Sequence, residues 1–220
     1  MRLIDLSQPI YNDCPNCPVH PPVRSEIILN DPKEGWRMEK LTLTPHTGSH
    51  VDAPLHKVPG GTSIDQIPLE RFTGITLLAD MRDCRADQPF TSSMLGRKFR
   101  EPGTQMEDRI IMIATGWGQK RSKSDEWLNR LPYLSPDGAE WLVEQKIRGV
   151  AIDTYSIGGA REQQNNLTHE ILLRAEVWIL EDIRLPDELF EIAQPFEIWA
   201  LPINLQGFSG AFCRPVAVVR

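Results

Sequence analysis

The chain has 220 residues, with 40% hydrophobic and 25% charged side chains and a formal net charge of -6. That is enough chain to bury a large core in one domain, expected to span residues 1–220. The acidic balance argues against a nucleic-acid partner, because phosphate binding needs a basic face, although a compact basic pocket for a small anion stays possible.

The opening MRLIDLSQPI carries Arg2 and Asp5 and has no apolar stretch of signal-peptide length. Nothing longer than the Ile110–Ala114 run is uninterrupted and apolar, far too short to span a bilayer. A cytoplasmic protein with no membrane partner is the expectation. Residues 2–6 alternate like a strand, and 8–35 read as a Pro-, Asn- and Asp-rich loop broken by one strand, Arg24 to Leu29. Inside that loop, Cys14, Cys17 and His20 have zinc-knuckle spacing, but no second CxxC exists to complete a site, so a proline-punctuated loop is the preferred reading. Cys84 and Cys213 are isolated, and four cysteines in a chain this long do not make a disulfide framework.

Arg37 to Thr44 alternates cleanly and runs into HTGSHVDAPLH, residues 46–56. Strands are expected at Ile75–Ala79, 109–114 and 149–153. A helix is expected over 136–147, with Ser135 as cap and Pro136 at the first helical position. A second helix is expected over 168–176 with Thr168 as cap, followed by strand 177–183 and closing strands in 195–205 and 214–219. The order is not a regular β–α alternation, which favours an α/β or α+β domain with a mixed sheet over a Rossmann fold.

HTGSHVDAPLH holds three of the chain's five histidines and an aspartate in eleven residues. His46, His50, Asp52 and His56 all fall on even positions, so one face of an extended strand would carry them. Four strand residues nevertheless cover roughly 13 Å, while donors on one ion stand about 3 Å apart. The chain must therefore turn between His46 and His50, either at Gly48 or in a helical turn started by Pro45. Imidazole plus carboxylate suits a divalent first-row ion, zinc or manganese. His56, two residues past Pro54, stands near the site without needing to be a ligand, and a histidine there is a natural proton donor or acceptor. The competing interpretation is a structural polar cluster; this density of histidines around one aspartate speaks against it.

His169 opens THEIL, which fails the HExxH pattern because Leu173 holds its last place. Glu181 ends an apolar strand, where a lone buried carboxylate would be costly. The two could converge on the same centre or be a helix-terminus histidine and a surface glutamate. GWGQKR and GFSGA depart from the GxGxxG and GxSxG patterns, and there is no Walker loop.

HTGSHVDAPLH resembles the HxGTHxDxPxH signature of the cyclase family of metal-dependent hydrolases, which includes bacterial kynurenine formamidases and isatin hydrolases. Ser49 replaces the usual threonine and keeps its hydroxyl. LIDLSQPI, ATGW (114–117), GVAIDTYSI (149–157) and the twelve-residue spacing of His169 and Glu181 extend the resemblance. It implies an α/β domain with a mixed, swivelling sheet of β/β/α type, assembled as a homodimer or homotetramer. It also implies one ion on His46, His50 and Asp52, a second on Asp52, His169 and Glu181 where two bind, and His56 as the acid/base. In the first loop Cys17 stands where kynurenine formamidases tend to carry tryptophan, so Cys17 is a candidate substrate contact. Trp36 and Trp117 are candidate aromatic walls, with a core role as the alternative for each. The expected activity is hydrolysis of a small amide, lactam or ester; a cyclase or dehydratase on the same site, or a non-catalytic metal-binding protein, are the alternatives.

Overall fold

The structure is a computed structural model that describes residues 1–99, 104–192 and 195–219. In chain order the strands are β1 (Arg2–Asp5), β2 (Arg24–Asn30), β3 (Arg37–Thr42), β4 (His50–Asp52), β5 (Thr73–Asp80), β6 (Pro89–Phe90), β7 (Ile110–Ala114), β8 (Tyr133–Leu134), β9 (Gly149–Ile152), β10 (Trp178–Glu181), β11 (Phe196–Trp199), β12 (Gly210–Phe212) and β13 (Val216–Val219). The helices are α1 (Ser92–Lys98), α2 (Asp125–Asn129), α3 (Pro136–Glu144) and α4 (Glu162–Arg174). Among the described residues, no helix is long and apolar enough to cross a membrane.

Nine strands form one mixed sheet in the order β1-β13-β11-β5-β7-β9-β10-β4-β12. Its centre, β5-β7-β9-β10, is parallel, and both flanks are antiparallel. Parallel strands need covered faces, and here both are covered. In β7, Ile111 and Ile113 face a core completed by Leu95, Leu142 and Leu172 from the helices. Ile110, Met112 and Ala114 face a second core with Val51, Ile198 and Ala217 from the flanking strands of the same sheet. The sheet therefore packs helices on one face and curls over itself on the other, as an α/β fold with a mixed sheet requires.

The expected caps of both helices differ in the structure, and α3 ends at Glu144 instead of 147. Helix α4 begins at Glu162, so Thr168 lies mid-helix and donates its hydroxyl to the Leu134 carbonyl instead of capping. The first turns, EQQNNL, are polar and show no apolar period. Ser135 does precede Pro136 at the start of α3, but its hydroxyl donates to the Phe90 carbonyl instead of accepting from the helix. Among the described residues, the β2–β3 hairpin pairs only with itself, and it is exposed along both strands.

Candidate metal centre

β4 is buried at all three residues and is clasped between β10 and β12, with Glu181 opposite His50 and Asp52 opposite both Ile179 and Gly210. The bend that the spacing demands is at Gly48, whose φ of 62° lies in the left-handed region that glycine enters without strain. A β-carbon there would come 2.9 Å from Ile10. The turn folds His46 back beside the strand, so that its Nδ1 is 2.6 Å from Asp52 Oδ1. Ser49, in the same turn, ties the segment to its surroundings: its hydroxyl donates to the Asp182 carbonyl and accepts from the Gln8 amide.

α4 and β10 deliver the remaining donors. His50 Nε2 is 3.4 Å from Asp52 Oδ1 and 3.5 Å from Glu181 Oε2. His169 Nε2 is 3.6 Å from Asp52 Oδ2 and 3.2 Å from Glu181 Oε1. The other nitrogen of each ring is occupied by a main-chain carbonyl: Nδ1 of His50 at 2.8 Å from Gly48, and Nδ1 of His169 at 2.8 Å from Asn165. These contacts set the tautomer with Nδ1–H donating outward and Nε2 aimed at the carboxylates, the usual outer support of a metal ligand. His46 is fixed at its Nε2 by the Ser209 hydroxyl, 2.9 Å away. Room for that ring comes from Gly210, where a β-carbon would stand 2.6 Å from His46 Cε1.

The charge balance fits a cation. Asp52 is fully buried, Glu181 is 4% exposed, and Asp52 Oδ2 has no hydrogen-bond partner among the described residues. Burial alone would raise the Asp52 carboxyl; His56 and His46 outweigh it and hold it well below the usual carboxylate range. Burial would likewise lower the two inner imidazoles, yet Asp52 and Glu181 raise His50 to about 9 and His169 to about 10. The cluster thus calls for positive charge at its centre, which a divalent ion supplies. Within this cluster, donor atoms of His50, Asp52 and Glu181 lie within 4.8 Å of one another, as do those of His46, Asp52 and His56. Asp52 belongs to both groups. The partition pairs His46 with His56 and His50 with Glu181, whereas the sequence resemblance implied His46 with His50.

His56 is the outermost of the histidines, its ring 4.0 Å from that of His46 and 5.9 Å from that of His169. Desolvation in this crowded cleft lowers it to about 4, with His46 and His169 reinforcing and Asp52 opposing. It is a neutral imidazole at physiological pH, able to accept a proton. His20, carried by the Cys14–His20 loop, brings the remaining histidine ring 6.4 Å from His46, a closeness that its knuckle-like spacing did not suggest.

Cys17 is half-buried beside the site and packs with Trp117, Trp127 and Tyr155. Trp117 is a core residue, 2% exposed. Trp36 is 67% exposed in the turn that closes the β2–β3 hairpin. Ser209 and Gly210 are site residues that sequence reading missed, since only the pairing of β12 with β4 brings them to His46.

A family model named Cyclase ("Putative cyclase") matches residues 4–158. The chain belongs to the Cyclase family. A kynurenine formamidase from Bordetella avium is 28% identical over 207 residues, covering 93% of this chain and 91% of that protein. Among solved Cyclase-like structures, isatin hydrolase A from Labrenzia aggregata superposes with a TM-score of 0.85 at 24% identity over 99% of this chain and 93% of that one. A "predicted metal-dependent hydrolase" from Bacillus stearothermophilus superposes with a TM-score of 0.78 at 27% identity, covering 98% and 97%. The matched residues contain His46, His50, Asp52 and His56 of the donor cluster, while His169 and Glu181 lie beyond them.

Proposed function

We propose that the protein is a metal-dependent hydrolase that cleaves the carbon–nitrogen bond of a small amide or lactam, with a simple ester as the related oxygen substrate. The observation that carries the reading is the convergence of two imidazole Nε2 atoms on two buried carboxylates, with one carboxylate oxygen left unpartnered among the described residues. Kynurenine formamidase and isatin hydrolase relatives agree with amide chemistry.

His46, His50, Asp52, His169 and Glu181 are the residues that would hold zinc or manganese, as one ion or as two sharing Asp52. A bound divalent ion supplies Lewis acidity, polarising a carbonyl and making water a better nucleophile near neutral pH. The chain's own contribution is orientation and proton handling. Gly48 O and Asn165 O keep two rings pointed inward, and Ser209 holds a third. His56, neutral and at the mouth of the site, takes the proton from the attacking water and returns it to the leaving nitrogen.

The direct test is turnover of formanilide, isatin and phenyl acetate by protein loaded with zinc or manganese, and by the same protein after chelation. Hydrolysis that appears with metal and vanishes without it is the expected result. Equal turnover by metal-free protein refutes the proposal, and firm metal binding with no turnover of any panel member favours a metal-binding protein without catalysis.

Two further expectations belong to this reading. All four cysteines are free, which agrees with a reducing cytoplasm. A homodimer or homotetramer is proposed, with the β2–β3 hairpin as the contact. It exposes Ile27, Ile28, Leu29 and Met38, and the pairs Arg37–Glu39 and Lys40–Glu26 offset four of its charges, which lessens the repulsion a second copy would meet.

A further inference from the structure

We propose that Arg121 is a positioning residue for substrate binding: its buried guanidinium seats the segment 9–20 against the flank of the metal centre. This rests on the hydrolase reading above and adds to that site a residue outside the donor cluster.

Residues 8–23 contain neither helix nor strand. The main-chain bonds of the segment are Cys14 N–H to the Tyr11 carbonyl, His20 N–H to the Cys17 carbonyl and Asp13 N–H to the Val23 carbonyl. None of them reaches another part of the molecule, so side chains must fix where the segment lies. It runs along the turn that carries His46. Ile10 fills the room left by Gly48, Asn16 Nδ2 donates to Thr47 Oγ1 at 3.4 Å, and the His20 ring stands 6.4 Å from that of His46. His20 Nδ1 is buried without a hydrogen-bond partner among the described residues. A substrate at the centre therefore meets an uncommitted polar atom on this flank, and its contact depends on how the segment is held.

Arg121 holds it from the side of β10. It follows the 3-10 turn Gly118–Lys120, which packs so closely that a β-carbon at Gly118 would collide with the Ile183 carbonyl. The Arg121 side chain is only 6% exposed. Its Nη1 donates to the Pro9 carbonyl and its Nη2 to the Pro15 carbonyl, both at 2.7 Å, and Nη2 lies 3.3 Å from Asp182 Oδ2. One rigid fork thus clamps both ends of the stretch from Pro9 to Pro15 onto the residue that follows Glu181. Bonds from a charged donor are the stronger kind, and the buried Asp182 carboxylate supplies the counter-charge that a buried guanidinium needs. Lysine would keep that charge pairing, but a single ammonium on a flexible stem cannot reproduce the planar fork. The Arg121→Lys variant therefore separates seating of the segment from balance of charge.

Wild type, Arg121→Ala and Arg121→Lys, each loaded with metal, are compared on formanilide. KM is expected to rise about tenfold in Arg121→Ala and about threefold in Arg121→Lys, with kcat within about twofold and metal content unchanged. Amide hydrogen exchange between residues 10 and 20 should quicken in both. Arg121→Ala leaves the two carbonyls and the Asp182 carboxylate around a void of guanidinium shape. Millimolar methylguanidinium is therefore expected to return its KM and its exchange towards wild type, with no effect on Arg121→Lys. Should Arg121→Ala not fold, Arg121→Lys decides the matter alone. Unchanged KM in the variants, metal lost from Arg121→Lys, or a fall in kcat alone overturns the proposal while leaving the hydrolase reading intact. If none of the loaded proteins hydrolyses formanilide, the hydrolase reading is what fails, and calorimetric affinity for formanilide takes the place of KM. Equal affinity in wild type and variants would then overturn the seating role too.

Discussion

β4 and the β2–β3 hairpin are both short β elements with polar side chains in their alternation, yet every residue of one is buried and every residue of the other is exposed. His50, Val51 and Asp52 are all buried because β10 and β12 flank them on both edges, while every residue of β2 and β3 is exposed because no third strand or helix among the described residues covers them. Alternation predicts a strand; its neighbours decide what the strand is for. In the enclosed element a carboxylate can be stripped of water and held for a cation, and in the exposed one the same pattern leaves apolar side chains free for another surface.

Four experiments sharpen that contrast, taken in falling order of effect. Asp52→Ala removes the residue common to both donor groups. It should abolish bound metal by elemental analysis and all activity with it, and retention of stoichiometric metal would contradict the shared role. His56→Ala should keep the metal and lower kcat by about 10²–10⁴-fold, the usual worth of a positioned acid/base; a fall in metal content instead would make it a ligand. Gly210→Ala drives a methyl against His46 and the Val51 carbonyl. A loss of about 1–3 kcal/mol in unfolding free energy is expected from such overpacking, with weaker metal affinity in titration. At the exposed end, Ile28→Ser should leave the unfolding free energy of dilute protein within about 0.5 kcal/mol of wild type, while sedimentation shows weaker self-association. An unchanged oligomer would remove the hairpin from the interface.

The grouping at the centre is legible in the sequence, because histidines and an aspartate at even spacing suit a metal-ligand set, and drawing His46 and His50 together requires a bend. Of the two bends that the residues allow, the positive φ of Gly48 is the one adopted. The convergence of His169 and Glu181 is open from spacing alone and is implied by the family's twelve-residue separation. Helix α4 is longer than its apolar pattern predicts, because its first two turns carry mostly polar residues and the buried positions begin only at Thr168. Ser209 and Gly210 carry no local signal at all: their roles exist only through contact with a ring 163 residues away from Ser209 in sequence. Trp36 is a candidate aromatic wall by residue type, and the hairpin places it in solvent.

The strand that carries His50 and Asp52 has its partners in this sheet, among the described residues, at 178–181 and 210–212. During synthesis, then, the segment bearing the family signature emerges early and waits, unpaired, for more than a hundred further residues before it can join the sheet. Long-range pairing of this kind slows folding and leaves intermediates exposed. Ion capture becomes a late event, so a nascent or truncated chain that stops short of Trp178 displays the whole signature and still has no place to lodge a metal.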